Sequence, residues 1–147
     1  MSAVKNTSSS VPSLSKYKVK LIMDARHVNR IKIIQQLFAN KFFIPEKNNQ
    51  NQLNSLTIDI IKNEQKINQY IQRYANKFPI EKIAKIDLAI LQLAVYELMI
   101  KKKEPVKVII NEAVELAKEF GGEKSYAFVN AILGKIYNEI SKKEKNF

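Results

Sequence analysis

The 147-residue sequence has no cysteine, no tryptophan, only three glycines and a single histidine, His27. Without cysteine, disulfides and thiolate metal sites are impossible. A lone histidine leaves a zinc site or a histidine-based catalytic centre without its other members. The glycines form no phosphate-binding loop, and no run of about 18 apolar residues could cross a membrane. The sequence therefore predicts no enzyme, no cofactor, no metal and no membrane insertion.

Positive charge, by contrast, is abundant and unevenly placed. The net charge is +11, and residues 1–47 carry nine Lys or Arg against two acids, whereas the remaining hundred residues are nearly balanced. Clustering of this kind is typical of a polyanion-binding surface. We interpret residues 1–21 as a flexible basic arm and residues 141–147 as a basic tail. Because the arm lacks the apolar core of a secretory signal, we expect a cytoplasmic protein.

Between these ends the apolar residues recur every three or four positions, and no segment alternates like a strand. The sequence thus predicts an all-α protein, a compact helical bundle in which a small N-terminal helical subdomain (22–79) packs on a C-terminal one (80–140). The predicted helices span 24–43, 53–78, 80–103, 106–120 and about 125–140.

The first of these helices combines a predicted core face with basic residues. Asp24 is a plausible N-cap, and Arg26 and Arg30 share a polar flank one turn apart. The predicted core-facing stripe consists of Val28, Ile31, Ile34, Phe38 and Phe42.

Two acids stand among apolar neighbours in the helix predicted over 80–103, which is apolar on nearly every face. Asp87 and Glu97 are ten residues apart, about 15 Å along a helix, so they cannot act together on one bond. We expect Glu97 to accept hydrogen bonds from a neighbouring helix N-terminus, while the role of Asp87 stays open. Further on, Gly121 is predicted to end a helix in the left-handed conformation and Ser125 to cap the next.

Two long motifs carry a family resemblance. IDLAILQLAVYELM and EPVKVIINEAVELAKEFGGEKSYAFVNAIL resemble the C-terminal half of the bacterial NusB family, and DARHVNRIKIIQQLF is similar to the family's basic first helix. Val28 stands where many relatives carry an arginine. Only residues 43–51 are available for the family's second helix, which we therefore expect to be shortened.

The resemblance implies an RNA-binding transcription antitermination factor. Such proteins pair with NusE, a small-subunit ribosomal protein, and bind boxA, a single-stranded element of nascent ribosomal RNA transcripts. They contact the transcribing RNA polymerase only indirectly, and the free protein is expected as a monomer or homodimer. The alternative function is a helical protein-interaction module that keeps the partner surface without specific RNA recognition.

The resemblance also assigns the candidate site residues. The predicted RNA-binding residues are Lys18, Lys20, Arg26, His27, Arg30, Lys124 and Phe128. The predicted partner interface consists of Phe38, Asp87 and Phe128. Ordinary structural roles compete with these assignments: solvated surface for the arginines, the edge of the core for His27, and core packing, which the helical spacing favours, for both phenylalanines.

Overall fold

Six α-helices build the fold in the part of the chain that the structure describes. The computed structural model describes residues 14–42 and 53–145, with side chains of the first helix from residue 25 onward. A 3-10 turn at Ile80–Lys82 precedes α4, and Glu97–Lys101 continues α4 as a π-helix. These described ranges contain no strand, which confirms the all-α class. The helices are α1 (Leu14–Asn40), α2 (Ser55–Lys62), α3 (Glu64–Tyr74), α4 (Lys85–Tyr96), α5 (Val106–Phe120) and α6 (Ser125–Lys145).

Helix α4 lies at the centre of the bundle. Every residue from Asp87 to Leu98 is buried, and α1, α2, α3, α5 and α6 all pack against this helix. A helix that is apolar on nearly every face is typically surrounded by other helices, and α4 is surrounded in this way. Apolar residues of both predicted subdomains meet in one continuous core around α4. The division into subdomains stays a prediction.

Helix α1 departs from the sequence prediction in its start and its orientation. It begins at Leu14, so Asp24 lies inside the helix and is not an N-cap, and residues 14–21 belong to the helix rather than to an arm. The predicted stripe is wrong in phase, because Val28, Phe38 and Phe42 are exposed. The buried face consists of Arg30, Ile33, Ile34 and Leu37.

The single helix predicted over 53–78 is two helices that meet at Asn63. The Asn63 amide side chain donates to the Asp59 carbonyl oxygen at 2.8 Å, and such local bonds compete with helix continuation. At the other end of α2, the Asn54 side chain accepts from the Leu56 N–H at 2.9 Å as an N-cap. The eight-residue α2 thus lies between α1 and α3. The second helix expected at 43–51 lies outside the described residues.

The turn between α5 and α6 is built differently from the prediction. Helix α5 has the predicted bounds, but Gly121 has φ −86° and is not left-handed. Glycine is required at this position because there is no space for a side chain: a Cβ would lie 2.3 Å from the Ser125 Cβ and 2.6 Å from the Ala117 carbonyl oxygen. Ser125 is the first residue of α6, and its hydroxyl accepts from the Gly122 N–H at 2.9 Å. Ser125 therefore ties the turn instead of capping the helix.

Candidate nucleic-acid interface

Arg30 is the centre of an ion-pair cluster between α1 and the carboxyl end of α4. Its Nε and Nη2 each donate to a carboxylate oxygen of Glu97 at 3.1 Å, a bidentate arrangement. Nη2 also pairs with Glu104, and Nη1 lies 3.8 Å from Glu112. The Arg30 side chain is only 7 % exposed, so this guanidinium holds together three helical segments.

The burial of Arg30 changes its expected part in any site. Burial opposes the charge, but the hydrogen bond to Glu97 and the charges of Glu97, Glu104 and Glu112 together raise the pKa of Arg30. The sequence placed Arg30 on a solvated flank and gave Glu97 a helix N-terminus as its partner, and the structure corrects both. A buried carboxylate needs a counter-charge, and here Arg30 supplies it. No contact of Arg30 with RNA follows from these distances, so that role stays a prediction.

Arg26 and His27 lie beside Arg30 and are more accessible. The Arg26 Nη1 is 3.1 Å from a Glu104 oxygen, with 57 % of the side chain exposed. His27 connects α1 to α5: its Nδ1 lies 3.0 Å from a carboxylate oxygen of Glu112 and its Nε2 lies 3.2 Å from one of Glu119. The hydrogen bond to Glu112 is the largest influence on the pKa of His27, which is raised. The structure thus brings Arg26, His27 and Arg30 together on the side of α1 that faces Glu104, Glu112 and Glu119.

A groove of about 420 Å³ opens beside this cluster. Arg26, Lys101 and Lys103 supply cations along its lining, while the Arg30–Glu97 pair forms part of its wall. Lys101 and Lys103 are not among the RNA-binding residues predicted from the sequence. The two lysines lie four and six residues after Glu97, and Glu97 pairs with Arg30 of α1. The Arg30–Glu97 pair therefore places the lysines near α1, but this pair is not evident from the sequence. The lining residues are Arg26, Asn29, Arg30, Leu56, Glu97, Lys101, Lys103, Glu104 and Ile109.

Asp87 lies at the other end of α4 and is buried rather than on a surface. It is 6 % exposed, and its Oδ1 has no hydrogen-bond partner. Burial raises the pKa of this carboxyl, and the Ser125 hydroxyl partly offsets the shift. The assignment of Asp87 to the partner interface stays a prediction.

Exposed aromatic side chains lie near the same end. Phe38 is 37 % exposed, so the core role favoured by its spacing is wrong, and its ring packs edge-on against Phe42 at 5.0 Å. The Lys85 ammonium lies 5.3 Å from the centre of the Phe42 ring. Phe128 is half-buried and packs edge-on against the exposed Phe78 at 5.5 Å. Phe42, Phe78 and Lys85 are not among the site residues predicted from the sequence.

The remaining predicted residues extend these two regions. Lys124 is exposed in the turn before α6. Lys18 and Lys20 belong to α1, about 9–12 Å before Arg26 along the helix axis, and their side chains lie outside the described part. Within the described ranges, no group of three or more His, Asp or Glu residues could hold a metal ion. No helix in the same ranges has the length and apolar character required to cross a membrane.

Comparisons with known proteins agree with this architecture. The NusB family profile matches residues 16–138. The transcription antitermination protein NusB of Acetivibrio thermocellus is 34% identical over 120 residues, which cover 82% of this chain and 79% of that protein. Its counterpart in Caldicellulosiruptor saccharolyticus is 37% identical over 112 residues, covering 71% and 86%.

A solved structure shows the same likeness in three dimensions. T. maritima NusB superposes with a TM-score of 0.66 at 31% identity, covering 78% of this chain and 91% of that one. The match runs through α1, which carries the arginine cluster, and through α4, which carries its carboxylate partner. The chain therefore belongs to the NusB family, whose curated relatives are transcription antitermination proteins.

Proposed function

We propose that this protein is a transcription antitermination factor that binds single-stranded, boxA-type RNA together with NusE. It acts on nascent ribosomal RNA transcripts in the cytoplasm and reaches RNA polymerase through that assembly. Membership of the NusB family supports the general function, and the basic first third of the chain supports a polyanionic partner.

The observation that carries the RNA proposal is the groove with its exposed cations. Phosphates are best held by accessible side chains, and Arg26 and Lys103 are exposed while Lys101 is partly exposed. Arg30 is not, because Glu97 and Glu104 already occupy its guanidinium. Its role in the proposal is to fix α1 against α4, so that Arg26 lines the same groove as Lys101 and Lys103.

Lys18 and Lys20 extend the proposed RNA path along α1, and Lys124 and Phe128 provide contacts at the α5–α6 turn. Phe38 and its neighbour Phe42 offer exposed rings for the partner protein or for an unstacked base. His27 contributes positive charge when protonated, since both ring nitrogens face carboxylates. The cationic groups and the exposed aromatics thus divide the two tasks of phosphate binding and partner binding.

Titration of a fluorescent boxA-like RNA against a scrambled RNA, with and without NusE, tests the proposal. The affinity for boxA is expected to fall with salt at a slope of about −0.7 per phosphate contacted. Replacement of Arg26 or Lys103 by alanine should weaken binding and reduce that slope by roughly one contact. Lys66→Ala is the matched control, because Lys66 is exposed on α3 and does not line the groove. Equal affinity for both RNAs with NusE present would contradict specific recognition.

A helical interaction module is the second candidate, and the charge balance of the arginine cluster favours it. Glu97, Glu104, Glu112 and Glu119 face Arg26, His27 and Arg30, so the cluster itself is not strongly positive. The exposed Phe38–Phe42 pair would then serve a protein partner alone. This candidate predicts NusE binding that survives Arg26→Ala and shows no preference between boxA and scrambled RNA. Sedimentation of the free protein distinguishes a monomer from a homodimer.

A further inference from the structure

Glu104 is a carboxylate that lines the proposed RNA groove among its cations. It lies between the exposed Lys103 and Pro105, directly before α5. Its Oε1 is 3.1 Å from the Arg26 Nη1, and its Oε2 pairs with the Arg30 Nη2. The Glu104 side chain is 20 % exposed. A single, partly accessible carboxylate thus connects the segment before α5 to two arginines of α1.

Arg30 is neutralised without Glu104. Its guanidinium already donates two hydrogen bonds to Glu97. Burial is the main reason that the pKa of Glu97 is raised, and the charge of Glu104 adds to that shift, because two neighbouring carboxylates disfavour each other's ionised form. The need for a counter-charge at Arg30 therefore does not account for Glu104, and its contact with Arg26 requires another explanation.

The contact with Arg26 occupies the group that a phosphate would use. A guanidinium binds carboxylate and phosphate oxygens with the same N–H donors, and the Arg26 side chain is 57 % exposed. A carboxylate beside those donors also repels an incoming phosphate. Glu104 and an RNA phosphate are therefore alternatives at Arg26.

We propose that Glu104 is an intramolecular competitor of RNA: it holds the Arg26 guanidinium in the free protein, and an RNA phosphate displaces it on binding. The inference rests on the proposed RNA function and adds the residue that limits how strongly the groove holds the RNA backbone. Exposed ion pairs are weak, and the loss of one changes a binding constant by at most about fivefold. RNA can therefore displace Glu104, at a cost that is the same for every sequence because phosphates carry no sequence information.

The test measures the affinity of the full chain for boxA-like and scrambled RNA, with and without NusE, in the variant Glu104→Gln. Glutamine keeps the shape and an acceptor oxygen but removes the charge. Both affinities should rise about two- to fivefold at low salt, and the gain should shrink as salt screens the pair. A damaged fold would bind RNA less well, so a gain separates competition from a structural role of Glu104.

Glu115→Gln is the matched control. Glu115 is an exposed acid of α5 that lies 3.4 Å from the Lys118 Nζ and does not line the groove. The variant loses the same charge and releases a cation in the same way, but at a distance from Arg26. Its affinity for both RNAs should stay nearly unchanged. Equal gains in E104Q and E115Q would show an effect of net charge alone and overturn the proposal.

A double-mutant cycle with Arg26→Ala locates the competition. If Glu104 acts at Arg26, the gain in E104Q largely disappears once Arg26 is gone, so the two changes are not additive. An equal gain in both backgrounds would overturn the proposal, and so would a gain confined to boxA-like RNA, since that would indicate contact with a base. If Arg26→Ala weakens binding while E104Q does not strengthen it, the competitor is wrong and the groove stands. If Arg26→Ala leaves the affinity unaltered, the groove is contradicted and the competitor with it.

Discussion

The two ends of α4 each bury a carboxyl group, but they treat it differently. Glu97 at the carboxyl end receives two hydrogen bonds from Arg30, whereas the Oδ1 of Asp87 at the amino end has no hydrogen-bond partner among the described residues. The first arrangement joins helices that are distant in the chain. The second leaves a buried polar atom without a partner. A buried carboxyl can thus join distant helices or stay an unpaired polar group, and the presence of a cation beside it determines which.

The largest expected effect comes from breaking the ion pair between Arg30 and Glu97 at the carboxyl end of α4. Arg30→Ala leaves Glu97 buried without its counter-charge, which we expect to lower the free energy of unfolding by about 3–5 kcal/mol. Urea denaturation followed by circular dichroism measures this change. Replacing the pair together, with Arg30→Met and Glu97→Leu, should recover most of the loss because no buried charge then stands alone.

Arg26→Ala is the control for that experiment. Arg26 touches the same Glu104, but its side chain is 57 % exposed, and exposed pairs contribute about 0–1 kcal/mol. Equal destabilisation by Arg30→Ala and Arg26→Ala would contradict the distinction between a buried ion pair and an exposed one.

At the amino end, the next largest effect is expected from Gly121→Ala. The new Cβ would lie 2.3 Å from the Ser125 Cβ, and such overpacking costs about 1–3 kcal/mol. Thermal denaturation should show a lower Tm for this variant. Gly134→Ala is the matched control, because a Cβ there meets nothing within 4 Å and alanine favours the interior of α6 by roughly 0.5–1 kcal/mol. A stable G121A protein would remove the argument for a fixed turn.

The sequence predicts the individual helices better than the ion pair between Arg30 and Glu97. The buried α4 and the bounds of α5 are local properties, since apolar residues on every face and the Pro105 and Gly121 signals lie in one stretch of chain. Arg30 was misplaced because its partner Glu97 is 67 residues away, and a long-range pair can reverse which face of a helix is buried.

Two other features were also hidden from sequence reasoning. The break at Asn63 was missed because Ile60 and Ile67 keep a seven-residue spacing across it, and both are buried. The positions of Lys101 and Lys103 beside Arg26 depend on how α4 and α1 pack. Local signals therefore predicted the helices, while the groove follows from pairings between them.

A smaller effect should distinguish the amino end by its pH dependence. Burial raises the pKa of Asp87 in the folded state above its ordinary value near 3.8. Over the interval between these values the folded protein holds a proton that the unfolded chain releases, so stability falls as pH rises through it. The loss should be about 1 kcal/mol, the cost of an unpaired buried polar group, and Asp87→Asn should abolish it. The difference in Tm between the two proteins, measured from pH 3.5 to 7, checks this; a constant difference would contradict it.

The smallest effect belongs to the arginine end and lies in a different pH interval. Glu112 and Glu119 raise the pKa of His27 above 6.5, so its stabilising charge is fully present below that pH and is lost as pH rises through the folded-state value. Because His27 and Glu119 are partly exposed, a few tenths of a kcal/mol are expected, and less in high salt. His27→Gln should remove this step above pH 6.5 and leave the Asp87 step intact. If both steps vanished together, the two ends of α4 would be coupled and the contrast between them would fail.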